Sequence, residues 1–220
     1  MLNSLQIYLM LTPLGLYFLM IGLMHMMKRP FLISGKRDQA LLFAALSGAM
    51  AAGPFQLFFP IGASWNYGVW TWLLLLGLYA LACLLYLQIQ RPSLNLYNIR
   101  LTELRPILST LAAALDPDPR TAGDMIFMPT LGIQFYVEPN PNFHTLSLVA
   151  AGPEQDLSGW KTFQKKLRET LKEPHRTFHR RYSVGIFFLT LGFLILTGLH
   201  IMVWLDPAEF LKAIPDLLRI

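Results

Sequence analysis

The side chains with most chemical reach in this 220-residue sequence are five histidines, one cysteine and a short run of aspartates. His175 and His179 are four apart, which puts two ring nitrogens on one helical face, as a metal site requires. No glutamate follows His175 directly, so there is no HExxH pattern. The pair also sits in a basic run with Arg176, Arg180 and Arg181, and nearby positive charge opposes a bound cation. Cys83 stands in an apolar run, and a single cysteine forms neither an internal disulfide nor a zinc cluster. Asp116, Asp118 and Asp124 suggest a carboxylate site, but Asp116-Pro117-Asp118-Pro119 reads better as a rigid turn. No phosphate-binding glycine loop, nucleophile elbow or Cys–His signature is present. The expectation is therefore no metal, no cofactor and no catalytic group. A site assembled in space from scattered residues stays open.

His25 and His200 lie inside apolar runs, where an ionisable group is a functional candidate by default. Two histidines can ligate a haem. Their placement opposes it: one is near the inner end of the first run, the other toward the outer end of the last. At about 1.5 Å per residue they are separated by roughly 20 Å along the membrane normal. The structural reading places His25 at the interface and has His200 bonded to a neighbouring helix. No Asp, Glu, Lys or Arg lies in the middle of any run, which disfavours an ion pump or coupled transporter.

The elements that must carry these residues are set by composition. The chain is 54% hydrophobic and 14% charged, with a net charge of +5. Soluble domains carry about 25% charged residues, so much of this chain is built to avoid water. Charge is absent from Leu2 to Met27, from Gln39 to Gln90 and from Tyr182 to Leu205. About 20 apolar residues cross a bilayer. The sequence predicts four spans: Leu5–Met27, Gln39–Phe59, Trp65–Gln88 and Tyr182–Leu205. The first has an uncharged start and basic residues after it, which reads as a retained anchor with its N-terminus outside rather than a cleaved signal.

Basic residues prefer the cytoplasmic side. Lys28, Arg29, Lys36 and Arg37 follow span one, Arg91 follows span three, and Arg176, Arg180 and Arg181 precede span four. A four-span arrangement puts all of them inside, with both termini outside. These cations are expected at anionic headgroups, and nucleic acid is not needed to explain the basic charge. Trp65, Trp70 and Trp204, with Tyr67 and Trp72, mark the outer interface. In span two, Ala45, Ala49 and Gly53 repeat every four residues, as do Ala44, Gly48 and Ala52. Small residues at that spacing let helices approach closely in lipid, so span two is expected to be the central packing helix. Pro13 and Pro54 are expected to kink their helices or mark local irregularity.

Between spans three and four lies a water-soluble segment of about 90 residues, 92–181. Leu94–Ile99 reads as a strand. Thr102 is a candidate N-cap before the periodic residues Leu104, Ile107, Leu108, Leu111, Ala112 and Leu115. Met125–Met128 is a short strand. Ile133–Glu138 alternates, Pro139-Asn140-Pro141-Asn142 is a turn, and Phe143–Ala150 returns. Asp156 caps a second amphipathic helix with Trp160, Phe163, Leu167 and Leu171 on its apolar stripe. The expected fold class is an α+β membrane protein: four transmembrane helices with a two-layer β-α-β-β-β-α domain inserted between the third and fourth. The expected organisation is 1–91 (three spans), 92–181 (cytoplasmic domain), 182–205 (fourth span) and 206–220. The last segment is an amphipathic helix starting after Asp206-Pro207, lying on the outer face or docked on a partner.

This pattern points to a multi-pass protein of a bacterial inner or plasma membrane. Its expected role is an accessory, scaffold or assembly subunit with a membrane-protein partner or a second copy of itself. The alternatives are a membrane-embedded enzyme or small transporter with a site that no motif reveals, and a membrane-bound sensor.

Overall fold

Uncharged runs become long helices, and the polar segments fold around one sheet. The computed structural model describes residues 4–58, 62, 66–140, 145–173 and 182–218. In chain order the elements are α1 (Ser4–Met26), β1 (Phe31–Ser34), α2 (Gly35–Ala52), α3 (Pro54–Leu57) and α4 (Trp70–Ile89). They continue as β2 (Ser93–Tyr97), α5 (Leu101–Leu115), β3 (Arg120–Ala122), β4 (Met125–Met128), β5 (Ile133–Asn140), β6 (Thr145–Ala150), α6 (Leu157–Leu171), α7 (Tyr182–Leu205) and α8 (Pro207–Leu218). Two compact units result. One comprises Met1–Gly22, Gln39–Ile89 and Ile186–Ile220; the other comprises Leu23–Asp38 and Gln90–Gly185.

Three helices among the described residues, α1, α4 and α7, are long and apolar enough to cross a membrane. By length and composition they mark the chain as membrane-associated. The second expected span, Gln39–Phe59, is not one continuous helix. Lys36, Arg37 and Asp38 occupy the first turn of α2, and the helix ends at Ala52, before a turn at Gly53. Its uncharged part, about 14 residues, rises only ~21 Å, short of a hydrocarbon core of ~30 Å. Pro54 restarts the chain as the single turn α3, where a missing N–H costs nothing. Pro13 lies inside a continuous α1.

In the helical unit α1 meets two neighbours at glycines. A Cβ at Gly48 of α2 would collide with the backbone carbonyl of Leu9. A Cβ at Gly192 of α7 would stand 2.8 Å from the Gly15 carbonyl oxygen and 2.9 Å from the Leu19 nitrogen. Phe18 stacks on Phe188 beside that crossing, with centroids 5.8 Å apart. α4 grips α2 through tyrosines. The Tyr79 hydroxyl donates to the Phe43 carbonyl at 2.7 Å, and Tyr86 meets the Phe43 ring edge-on at 5.5 Å. Asp206 caps α8 by accepting from the Glu209 N–H at 3.0 Å. Phe210 then meets Tyr8 of α1 edge-on at 5.4 Å, so the amphipathic C-terminal helix docks on its own chain.

The second unit is built on a six-stranded antiparallel sheet in the order β1-β2-β6-β5-β4-β3. The four strands expected are there, and two more flank them. Phe31–Ser34, which lies between the basic residues that follow the first span, is edge strand β1. It pairs Phe31 with Tyr97 and Leu32 with Leu96. Arg120–Ala122 is edge strand β3, closed onto β4 by a tight turn at Gly123, whose φ of +62° favours glycine. Pro139 and Asn140 extend β5 opposite Leu146 and Thr145 rather than starting the turn. Residues 141–144, which include Pro141 and Asn142 of the predicted turn and His144, lie outside the described residues.

Alternation gives the sheet one apolar face. Leu32, Leu94, Leu96, Ile133, Phe135, Val137, Leu146 and Leu148 are buried there against α5 and α6. The five residues predicted on the stripe of α5 from Leu104 to Ala112 are all buried. Trp160, Phe163, Leu167 and Leu171 of α6 are buried too. Phe135 sits at the centre, with ring centroids 5.0 Å from Phe163 and 5.7 Å from Trp160. The cap of α5 is not Thr102. The helix begins at Leu101, and Glu103 accepts the Arg100 backbone N–H at 3.2 Å. Asp156 caps α6, accepting the Ser158 N–H at 2.8 Å.

Candidate functional site

Among the described residues, a cluster of unpaired charge lies beside edge strand β1. The sequence turns from β1 straight into α2 at Gly35, where a Cβ would strike the Ser93 hydroxyl. That tight passage leaves Arg37 in the first turn of α2 beside the strand. The last turn of α6 supplies Arg168, and its C-cap is Lys172. Cations there complement the partial negative charge of a helix C-terminus. Arg37, Arg168 and Lys172 are exposed, and together with Phe31 and Leu171 they line a groove of about 370 Å³. Among the described residues no carboxylate lines it. Among the described residues, the ion pairs belong to Arg105, Arg120 and Lys166 instead.

On the other face of the sheet the same segment forms a polar network. Asp38, also in the first turn of α2, accepts from Asn95 Nδ2 at 2.7 Å and from the Tyr97 hydroxyl at 2.8 Å. Ser147 passes a hydrogen bond to Asn95 Oδ1 at 3.0 Å. His25, 2% exposed, meets the Tyr97 ring edge-on at 5.3 Å. Asn98, in the left-handed region at φ +62°, donates to the Met27 carbonyl at 2.8 Å. Three segments are thereby tied together: the end of α1, the start of α2, and β2. Asp38→Ala removes the acceptor of the buried Tyr97 hydroxyl and is expected to destabilise this unit by about 1–3 kcal/mol. A thermal double-mutant cycle with Tyr97→Phe checks it: the double variant should lose less than the two single losses added together. Strict additivity would refute the coupling.

The aspartates singled out in sequence do not converge. Asp124 pairs with Arg105 at 2.7 Å, beside a second cavity of about 280 Å³. Asp118 pairs with Arg120 at 3.1 Å. Asp116, 2% exposed, accepts from the backbone N–H groups of Asp118 (3.0 Å) and Thr130 (2.7 Å) and from the Thr130 hydroxyl (3.1 Å). Burial alone would raise its pKa, but these hydrogen bonds hold it below the ordinary carboxylate value. Asp156 is likewise lowered, first by the Ser158 hydroxyl and then by the Ser158 N–H. Among the described residues no group of three or more His, Cys, Asp or Glu is placed to hold a metal. His175 and His179 lie outside them.

Both carboxyls have folded-state pKa values below the unfolded value of about 3.9. Their stabilisation is complete above that value and is lost as pH falls through the folded-state pKa. The melting temperature of the sheet unit should therefore be insensitive to these groups near neutrality and fall below about pH 4. An Asp116→Asn/Asp156→Asn variant should show a shallower fall, and an identical acid profile would count against the assignment.

Of the residues expected to pack helices, Ala45, Gly48 and Ala52 are buried, whereas Ala49 and Gly53 are only half-buried. The buried seam therefore steps by three and then four, crossing between the two four-residue rows read in the sequence. At 3.6 residues per turn, such a seam runs closer to the helix axis than either row. Lys28, Arg29, Lys36 and Arg37 are exposed, as are Trp70 and Trp204. Trp65, Arg176, Arg180 and Arg181 lie outside the described residues. His25 belongs to the sheet unit and the exposed His200 to the helical unit. Sequence reasoning missed Asp38, Tyr97 and Asn95, and also Tyr79, whose only signal is a hydroxyl inside an apolar run. Comparison with protein-family models, with curated proteins and with solved structures found no match.

Proposed function

We infer that this chain is a four-span membrane scaffold, an accessory or assembly subunit whose α+β unit lies on the inner side of the membrane. The observation that carries this reading is the make-up of the sheet unit. It is woven from two separate links, Leu23–Asp38 and Gln90–Gly185. The chain therefore enters or leaves it through the ends of α1, α2, α4 and α7. Four helices with one end each in a single water-facing unit favour an even number of crossings. The shortness of α2 is then offset by its continuation through α3, or by thinning of the bilayer around it. The exposed cations Lys28, Arg29, Lys36 and Arg37 belong to this unit, and basic flanks favour the cytoplasmic side. Its roles are to hold four helices in register and to offer lipid-facing or partner-facing surface. α4 supports that second role, exposing Leu73, Leu74, Leu78, Leu81, Leu84 and Leu85 along most of its length.

Two measurements test the reading. In a Cys83→Ser background, Glu209→Cys should react with a membrane-impermeant thiol reagent in intact cells, and Glu154→Cys only after permeabilisation. The reverse pattern overturns the orientation. Protein extracted in mild detergent should run as a stoichiometric assembly larger than one 25.0 kDa chain. A lone monomer overturns the assembly role.

A further inference from the structure

Arg37, Arg168 and Lys172 share one concavity although like charges repel, and the unit pairs Arg105, Arg120 and Lys166 with carboxylates elsewhere. The nearest acids in sequence are committed. Asp38 accepts from Asn95 and Tyr97, Glu169 holds Lys166 at 3.1 Å, and Glu173, next to Lys172, has a partner of its own. An anion is the partner this groove lacks, and guanidinium groups bind phosphate oxygens in bidentate fashion. The walls are not all polar. Pro30 and Phe31, both half-buried, place apolar surface beside the charges, which suits an amphiphile better than a bare ion. About 370 Å³ lies within the range that binds a small organic group.

Chain geometry gives the source. Pro30, on the groove wall, follows the last residue of α1 by four positions. Four residues span at most about 14 Å, so the groove is tethered within reach of the headgroup layer. We propose that this groove is a binding site for the phosphodiester headgroup of an anionic phospholipid. The three cations hold the phosphate, and the glycerol and first acyl carbons lie against Pro30 and Phe31. The proposal rests on α1 being a membrane span, but it does not depend on the orientation tested by thiol labelling.

The test uses the full chain in a zwitterionic detergent, titrated with phosphatidylglycerol, phosphatidylcholine or inorganic phosphate. Bound ligand is read by native mass spectrometry. One phosphatidylglycerol should bind in preference to phosphatidylcholine, and phosphate at equal concentration should not compete. Arg37→Gln/Arg168→Gln/Lys172→Gln should weaken that binding by about a hundredfold, at roughly 1 kcal/mol per basic residue. Arg105→Gln/Arg120→Gln/Lys166→Gln removes the same charge elsewhere and should leave it unchanged. If the groove triple variant melts early in the absence of lipid, its three single variants replace it, each expected to weaken binding about fivefold. Equal loss in both triple variants reduces the effect to bulk charge and overturns the site. Retained binding in the groove variants, triple or single, overturns it directly. Competition by inorganic phosphate overturns the lipid assignment in favour of a free phosphate ligand.

Discussion

Phe135→Ala is expected to destabilise the sheet unit by about 3–5 kcal/mol, a third or more of the stability of a typical domain. Phe135 is completely buried on β5 and touches both aromatic rings of α6 that close the core. Its removal leaves a cavity between sheet and helix that rigid neighbours on both sides cannot fill. The adjacent residue supplies the control. Tyr136 points to the opposite face and is 37% exposed, so Tyr136→Ala should cost far less, about 0.5 kcal/mol. Hydrogen exchange of the β5 and β6 amides in the full chain reads both. Protection should fall by two orders of magnitude or more for Phe135→Ala, at about 1.4 kcal/mol per tenfold. Equal effects at the two positions would mean that the faces of β5 are assigned wrongly.

The second large effect concerns the helical unit. Gly48→Ala drives a methyl group into the Leu9 carbonyl, a backbone atom that no rotamer change can move. Leu9 is special for a reason written in the sequence. Its carbonyl would normally accept the N–H of residue 13, but Pro13 has none. The glycine lets α2 approach at that point and brings a Cα–H to the oxygen that Pro13 leaves without a donor, a weak but favourable contact. Overpacking here is expected to cost about 1–3 kcal/mol, read as a lower melting temperature in detergent. Gly77→Ala is the counterpart. Nothing lies within 4 Å of its would-be Cβ, so that substitution should be neutral or stabilising, by up to about 1 kcal/mol through helix propensity. A Gly48→Ala protein that melts with the parent would show that α1 and α2 do not meet there.

These two sites show what the sequence can and cannot disclose. Phe135 was legible, because period-2 alternation from Ile133 to Val137 fixes which face is buried. The stripes of α5 and α6 were legible for the same reason at period 3.6. β1 was not. It has four residues, and Leu32 and Ile33 are both buried, so it shows no alternation. β3 is exposed at all three positions and carries no apolar signal at all. Small residues on α2 announced a close approach, but the choice of Gly48 over Ala49 depends on where Pro13 leaves a carbonyl bare. The basic groove joins residues 30–37 to 168–172, and no local pattern links segments so far apart. Charge near a span predicted headgroup contact, and only the fold separates Arg37 from Lys36 as the one that lines a cavity.

The pairing of β1 with β2 sets an order of events on the ribosome. Phe31–Ser34 leaves the exit tunnel about 60 residues ahead of Leu94–Tyr97, its neighbour in the sheet. At roughly 5–20 residues per second this strand waits about 3–12 s for a partner. During that wait Leu32 and Ile33 are uncovered just after the long apolar helix α1. The flanking Lys28, Arg29, Lys36 and Arg37 then act as gatekeepers, keeping an orphan strand from pairing with a neighbouring chain until its own mate is translated.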